Sequence, residues 1–331
     1  MREKHFSHLI LFIARTSNLK AMNLLLCLSF IIIFLSTSHV TISVQALSST
    51  SRPPKIALVT GANKGIGLEI AKKLGSEKDE DQTNEFVCIL GCRNEVLGRK
   101  TMNELKSRGM DVDLVQINLE DTNSINLAAK YIGEKYGRCD VLINNAAVCF
   151  NDPTLYGKVP STPFDKQADI TIRTNFFGTL SLTKSMIPLL QKSDSPRIIN
   201  IASSAGRLSI LPAQERRDAF ASESLEVEDL ETFMKDFVKA AQGGTHQKEG
   251  WPNTGYGVSK VGIISLTKIL ARQHTNFMIN SVDPGYCKTD QNNNQGYIPA
   301  ERGAVTPYLL ATLKDQHFSG LHWFQEQEIE W

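Results

Sequence analysis

From residue 55 onward, short apolar runs alternate with amphipathic stretches. Lys55-Ile56-Ala57-Leu58-Val59-Thr60, Phe86-Val87-Cys88-Ile89-Leu90-Gly91, Cys139-Asp140-Val141-Leu142-Ile143, Arg197-Ile198-Ile199-Asn200-Ile201-Ala202 and Phe277-Met278-Ile279-Asn280-Ser281-Val282 read as buried strands. Val112 to Ile117 alternates as a further strand, and residues 320–324 can supply a last one. Helical spacing recurs over 68–74, 96–106, 124–136, 164–190, 256–270 and 300–313. Strands that alternate with helices imply βαβ units and a parallel sheet. Within residues 207–250, Leu225, Leu230, Phe233, Met234, Phe237, Val238 and Ala241 fall at helical spacing, so this insert carries at least one amphipathic helix, ended by Gly243-Gly244. Residues 75–85 read as a solvated loop, and 291–296 as a polar loop suited to a mobile lid.

Residues 1–51 form an N-terminal segment outside this pattern. The apolar run 24–35 follows Arg2, Lys4, Arg15 and Lys20 and precedes a Ser/Thr-rich stretch ending Val44-Gln45-Ala46. It is short for a membrane span, which needs about 20 apolar residues. The first reading is a signal peptide, or the front half of a bipartite organelle address; the second is an uncleaved anchor or a misassigned start. No stable membrane span is expected after its removal. The compartment stays open between the secretory pathway, an organelle reached through it, a membrane-anchored state and the cytoplasm.

The 331 residues allow one large domain or two small ones, and the pattern shows a single domain over 52–331 with no internal repeat. With 36 basic against 35 acidic residues and no basic stripe, no nucleic-acid partner is implied. Cys27, Cys88, Cys92, Cys139, Cys149 and Cys287 show no metal-ligand spacing, so no metal is expected. Past Cys27 they suit buried reduced thiols, which sits awkwardly with a secreted destination.

Chemistry enters at three places. Gly61-Ala62-Asn63-Lys64-Gly65-Ile66-Gly67 joins the first strand to the first helix, a turn that lets backbone approach a pyrophosphate at a helix N-terminus. The second strand ends in Cys92-Arg93-Asn94, with no carboxylate for ribose hydroxyls; Arg93 and Lys64 suit a 2′-phosphate, so NADP is favoured over NAD. Ser203 lies at the C-terminal edge of the strand over 197–202, where ligands of parallel sheets bind. Tyr256 and Lys260 share a helix face, and the ammonium is expected to lower the phenol's pKa and fit it for proton transfer.

Taken in order, Thr60 to Gly67, Asn144-Asn145-Ala146, Asn175, Ser203, Tyr256-x-x-x-Lys260 and Pro284-Gly285 resemble the short-chain dehydrogenase/reductase family. The long spacer between Ser203 and Tyr256, the stretch His246 to Pro252, Thr174 to Thr179 and Trp331 resemble its monomeric NADPH-dependent carbonyl reductases. The resemblance spans about residues 55 to 331. It implies a Rossmann-type, doubly wound α/β fold, NADPH/NADP as cofactor, a small-molecule carbonyl substrate, and a monomer whose insert covers the surface that relatives use to oligomerise. It implies catalytic roles for Ser203, Tyr256, Lys260 and Asn175, with Ser204 next if the register shifts by one; Asn175 would hold a water beside the lysine. Cofactor contacts are expected from Gly61, Asn63, Lys64, Gly65, Ile66, Gly67 and Arg93 in the first half of the fold. Further along, Asn118, Leu119, Asn145, Ala146, Tyr256, Lys260, Pro284, Gly285 and Thr289 join them, and Ser203, Tyr256 and Tyr286 are expected to meet substrate.

Three departures accompany the resemblance. Asn118 stands where many relatives place an aspartate, Ala147 where they place a glycine, and Tyr286 where vertebrate relatives carry a tryptophan. The expected reaction is reduction of a ketone, aldehyde or quinone carbonyl; the alternatives are oxidation of a secondary alcohol with NADP, or NADPH binding without turnover as a sensor or scaffold.

Overall fold

The computed structural model describes residues 53–79, 81–150, 162–314 and 318–331. The expectations for residues 1–51 therefore lie outside the described residues. No described helix is long and apolar enough to cross a membrane.

The strands are β1 (Lys55–Thr60), β2 (Phe86–Cys92), β3 (Val112–Gln116), β4 (Val141–Asn144), β5 (Arg197–Ile201), β6 (Met278–Asp283), β7 (His322–Phe324) and β8 (Gln327–Glu328). They form one sheet in the order β3-β2-β1-β4-β5-β6-β7-β8, parallel except for the β7–β8 pair. The chain winds outward from β1 in both directions. Between β1 and β4 the direction of winding reverses, and the crevice above their C-terminal ends is where such sheets take ligands.

The inner strands are apolar on both faces because both are covered. In β1, Ile56 and Leu58 join one core cluster with Ile125, Ile172 and Phe176, while Ala57 and Val59 join another with Ile70, Leu74 and Leu310. Helices α1 (Gly65–Gly75), α2 (Glu95–Ser107) and α3 (Thr122–Tyr136) follow the first three strands. The expected continuous helix over 164–190 is α4 (Phe164–Ile172), a π-helical turn (Arg173–Gly178) and α5 (Thr179–Leu190). The extra residue in the π turn leaves the apolar spacing nearly unbroken, so periodicity alone does not register it.

The insert holds α6 (Gln214–Ala221) and α7 (Val227–Gln242). Its longer helix starts at a capping box between Glu226 and Asp229 and buries Leu230, Met234 and Phe237. It packs against α4 and against α8 (Gly255–Gln273). Trp251, fully buried, meets Phe220 and Phe237 edge to face, and the Arg216 guanidinium lies 3.6 Å from its ring centre. The helical pattern over 300–313 divides at Ala304 into α9 (Ala300–Gly303) and α10 (Val305–Thr312). Cys88, Cys92, Cys139 and Cys287 are buried and Cys149 half-buried, all as free thiols.

Trp251→Ala should cost about 3–5 kcal/mol of unfolding free energy, read as a lower urea midpoint at unchanged slope. A loss under about 1 kcal/mol would mean that the insert folds apart from the body.

Candidate active site

Thr60, the last residue of β1, fixes the floor of the crevice. Its hydroxyl accepts from the amides of Asn145 (2.9 Å) and Ala146 (3.0 Å), and its carbonyl from the Asn145 side chain (2.8 Å). The glycine turn then folds tightly over this point. Gly61 has φ +67°, a left-handed conformation, and a Cβ on Gly67 would fall 2.5 Å from both Gly61 O and Asn145 Nδ2. That packing sets the N-terminus of α1 against a cleft of about 420 Å³.

Of the expected cofactor residues, Gly61, Asn63, Lys64, Gly65 and Ile66 line the cleft on one side, with Arg93. Asn118, Leu119, Asn145, Ala146 and Thr289 line it elsewhere. Gly67 lies beneath the turn, while Pro284 and Gly285 of the turn after β6, and Tyr256 and Lys260 of α8, are not among the lining residues. Thr174, Asn94, Leu97, Asp290 and Gln291 line it too and were not anticipated. The Asn118 side-chain oxygen Oδ1 accepts from the Glu120 amide (3.2 Å), a local turn that opens the approach to α3. Lys64 pairs with Asp290 at 3.3 Å, both well exposed, so an anion at Lys64 competes with a weak partner.

Helix α8 carries the two expected residues Tyr256 and Lys260. Thr254 caps it by accepting from the Gly257 amide (3.0 Å), which puts Tyr256 in the first turn. Lys260, one turn on, is 3% exposed and donates to the Ile201 carbonyl at 2.6 Å, with its nitrogen 5.5 Å from the Tyr256 ring centre. The Ser203 hydroxyl accepts from the Ala205 amide (3.2 Å) and acts on the Tyr256 phenol by lowering its pKa against the larger rise from burial. A single turn (Ser204–Gly206) then lies directly on α8, since a Cβ on Gly206 would come within 2.7 Å of the Lys260 backbone. Trp331 closes this contact from outside by donating to the Gly206 carbonyl at 2.6 Å.

Asn175 sits in the π turn, 2% exposed. Its amide accepts from Val148 N (2.8 Å) and donates to Val148 O (2.9 Å) and Ser259 Oγ (3.1 Å). It thereby ties the segment after β4 to the helix that bears Tyr256 and Lys260. Val148 lines the cleft, and Asn175 binds both Val148 and Ser259, so the start of α8 lies toward that end.

The phenol departs from the sequence expectation. Burial pushes the Tyr256 pKa above the ordinary tyrosine range, Cys149 and Asp283 add to the rise, and the Ser203 hydrogen bond opposes it. Lys260 spends its donor on Ile201, and burial draws its own pKa down to about 8. In this state the lysine therefore does not acidify the phenol. Tyr286, expected to meet substrate, is 38% exposed and packs against Tyr297 with ring centres 5.8 Å apart. Asp283, buried at the end of β6, and Cys149 were both missed as neighbours of the phenol. A carboxylate directly before Pro284-Gly285 is the signal that could have marked the first; nothing local marks the second. Among the described residues, no group of three or more His, Cys, Asp or Glu could hold a metal ion.

The short chain dehydrogenase family profile matches residues 55–213. The chain is 36% identical to the NADPH carbonyl reductase 3 of Mus musculus over 276 residues, which covers 81% of this chain and 93% of that protein. The structure of salutaridine reductase from Papaver somniferum superposes with a TM-score of 0.73 at 29% identity, covering 81% of this chain and 99% of the other. Menthone neomenthol reductase from Mentha piperita gives 0.69 at 29% identity, covering 83% and 99%. With a sheet wound outward from β1, a glycine turn over its crevice and relatives matched along nearly their whole length, the chain belongs to the short-chain dehydrogenase/reductase family.

Proposed function

We propose that this chain uses NADPH to reduce a ketone, aldehyde or quinone carbonyl to the alcohol. The observation that carries the reading is the placement of Tyr256 and the buried Lys260 one turn apart on α8, against the turn that follows Ser203 and near a cleft that also holds Lys64 and Arg93. The name of the Mus musculus relative supports the cofactor and the class of reaction.

The cleft fits the dinucleotide. Lys64 and Arg93 would hold the 2′-phosphate, which would displace Asp290 from Lys64, and the glycine turn with the N-terminus of α1 would hold the pyrophosphate. Lys260 and Tyr256 would grip the nicotinamide ribose. NADPH, when bound, supplies the hydride.

The rest falls to the protein. Ser203 and Tyr256 both donate toward the carbonyl oxygen and stabilise the negative charge that grows on it. Tyr256 gives up the proton; a phenol whose pKa is raised by burial stays protonated at neutral pH, as a donor must. Lys260 supplies a positive charge beside that donor and returns a proton to it. Asn175 acts one residue away, holding Ser259 and so keeping α8 against the segment after β4.

The insert supports a monomer, because α7 covers α4 and α8 with side chains of the same chain.

Tyr256→Phe should lower kcat by at least about a thousandfold while NADPH binding changes less than about threefold; unchanged turnover would remove Tyr256 from the mechanism. Arg93→Ala should raise the KM for NADPH about tenfold or more and leave that for NADH within about twofold, and equal effects on both would place the 2′-phosphate elsewhere. In sedimentation velocity the protein should run at the mass of one chain, and a tetramer would contradict the covering role of α7.

A further inference from the structure

Trp331 reaches the active site from the β8 edge of the sheet, and the chemistry above gives it no part. Its indole N–H donates to the Gly206 carbonyl at 2.6 Å. Gly206 closes the single turn that Ser203 begins: the Gly206 amide donates to the Ser203 carbonyl at 2.8 Å, and the Ser203 hydroxyl accepts from the Ala205 amide at 3.2 Å. The same glycine rests on the backbone of Lys260, where a Cβ would come within 2.7 Å. A pull on Gly206 is therefore passed to Ser203 on one side and borne by α8 on the other.

The hairpin that precedes Trp331 is fastened more firmly than its own burial requires. Both residues of β8 are exposed. Yet Arg302 grips the Glu326 carboxylate with two bonds of 2.8 and 2.9 Å, and the Ile329 amide donates to the His322 carbonyl at 2.8 Å. Beyond this hairpin Trp331 packs on Ala202, Ile263 and Ile264, with the Lys268 ammonium 5.3 Å from its ring centre.

That packing accounts for the ring but not for the direction of its N–H. Carbonyls inside α8 are committed to their own helix, whereas the buried Gly206 carbonyl, at the end of a single turn, needs a donor from elsewhere. We propose that Trp331 is a positioning residue for the reduction: its indole holds the turn after Ser203 down on α8 and so sets the Ser203 hydroxyl relative to Tyr256. This rests on the roles given to Ser203 and Tyr256 above.

Trp331→Phe keeps most of the packing and removes the donor. On the full chain, with NADPH and whichever of a set of small quinones, ketones and aldehydes is reduced fastest, kcat should fall at least about tenfold, because a small misplacement of a reacting group is costly. The Kd of NADPH, read from the cofactor's own fluorescence, should stay within about twofold, since the glycine turn is untouched. Trp331→Leu, also apolar and without a donor, stands in if the phenylalanine variant fails to fold. A double-mutant cycle with Ser203→Ala supplies the readout that lost stability alone would not give. In the Ser203→Ala background the same replacement of Trp331 should lower kcat by less than about twofold. The full tenfold loss repeated in that background, or a folded Trp331→Phe whose kcat stays within about twofold of the parent, would overturn the proposal. Ser203→Ala alone separates the two levels. Full turnover there, or a parent protein that reduces none of the carbonyl compounds, overturns the reading of the active site itself. Turnover lost there with Trp331→Phe unaffected overturns only the role of Trp331.

Discussion

A lysine ammonium is rarely withdrawn from water, because the protein must then supply what the solvent gave it. Lys260 is withdrawn almost completely, and much of the surrounding architecture answers that demand. The end of β5 offers the Ile201 carbonyl, and there Ile201 pairs with Val282 of β6 while Asn200 before it pairs with Asn144 of β4. Three neighbouring strands thus fix the place of the one carbonyl that this nitrogen meets. Their C-terminal ends can do so only because β4, β5 and β6 are adjacent, parallel and in register.

Close backbone contact sets the remaining geometry. Gly206 allows the turn after Ser203 to rest on α8, and Gly67 allows the glycine turn to rest on Asn145. In both places a methyl group would push apart two segments that must meet. Asn175 provides the third fastening, with three hydrogen bonds from a single amide, and the π turn is the local distortion that accompanies it. The phenol, hydroxyl and ammonium are therefore held by interlocked backbone rather than by long flexible side chains.

The parallel sheet was legible because its strands are apolar on both faces, and the glycine turn because few sequences run strand, glycines and helix in that way. The order of Ser203, Tyr256 and Lys260 along the chain was legible for the same reason: each lies at a strand or helix end that the pattern defines. Other features left no local trace. The π turn hides within an unbroken apolar rhythm, and β8 consists of two exposed residues whose pairing depends on a tight turn at Gln325 and Glu326, both with positive φ. The influence of Cys149 and Asp283 on the phenol arises only when distant strand ends are brought together. The balance of forces on the phenol was hidden for a related reason, since spacing on a helix fixes direction but not burial, and here burial is the largest influence on its pKa.

The segment following β6 is drawn in at its neck by the Cys287–Ile298 bridge, where Lys288 N meets Ile298 O at 2.7 Å and Ile298 N meets Tyr286 O at 3.1 Å. At this neck stand Tyr286 and Tyr297, while within the loop Thr289, Asp290 and Gln291 border the dinucleotide cleft. The fastening is made by backbone atoms and the rim by side chains, so a change of residue at Tyr286 or Tyr297 reshapes the rim and leaves the neck closed.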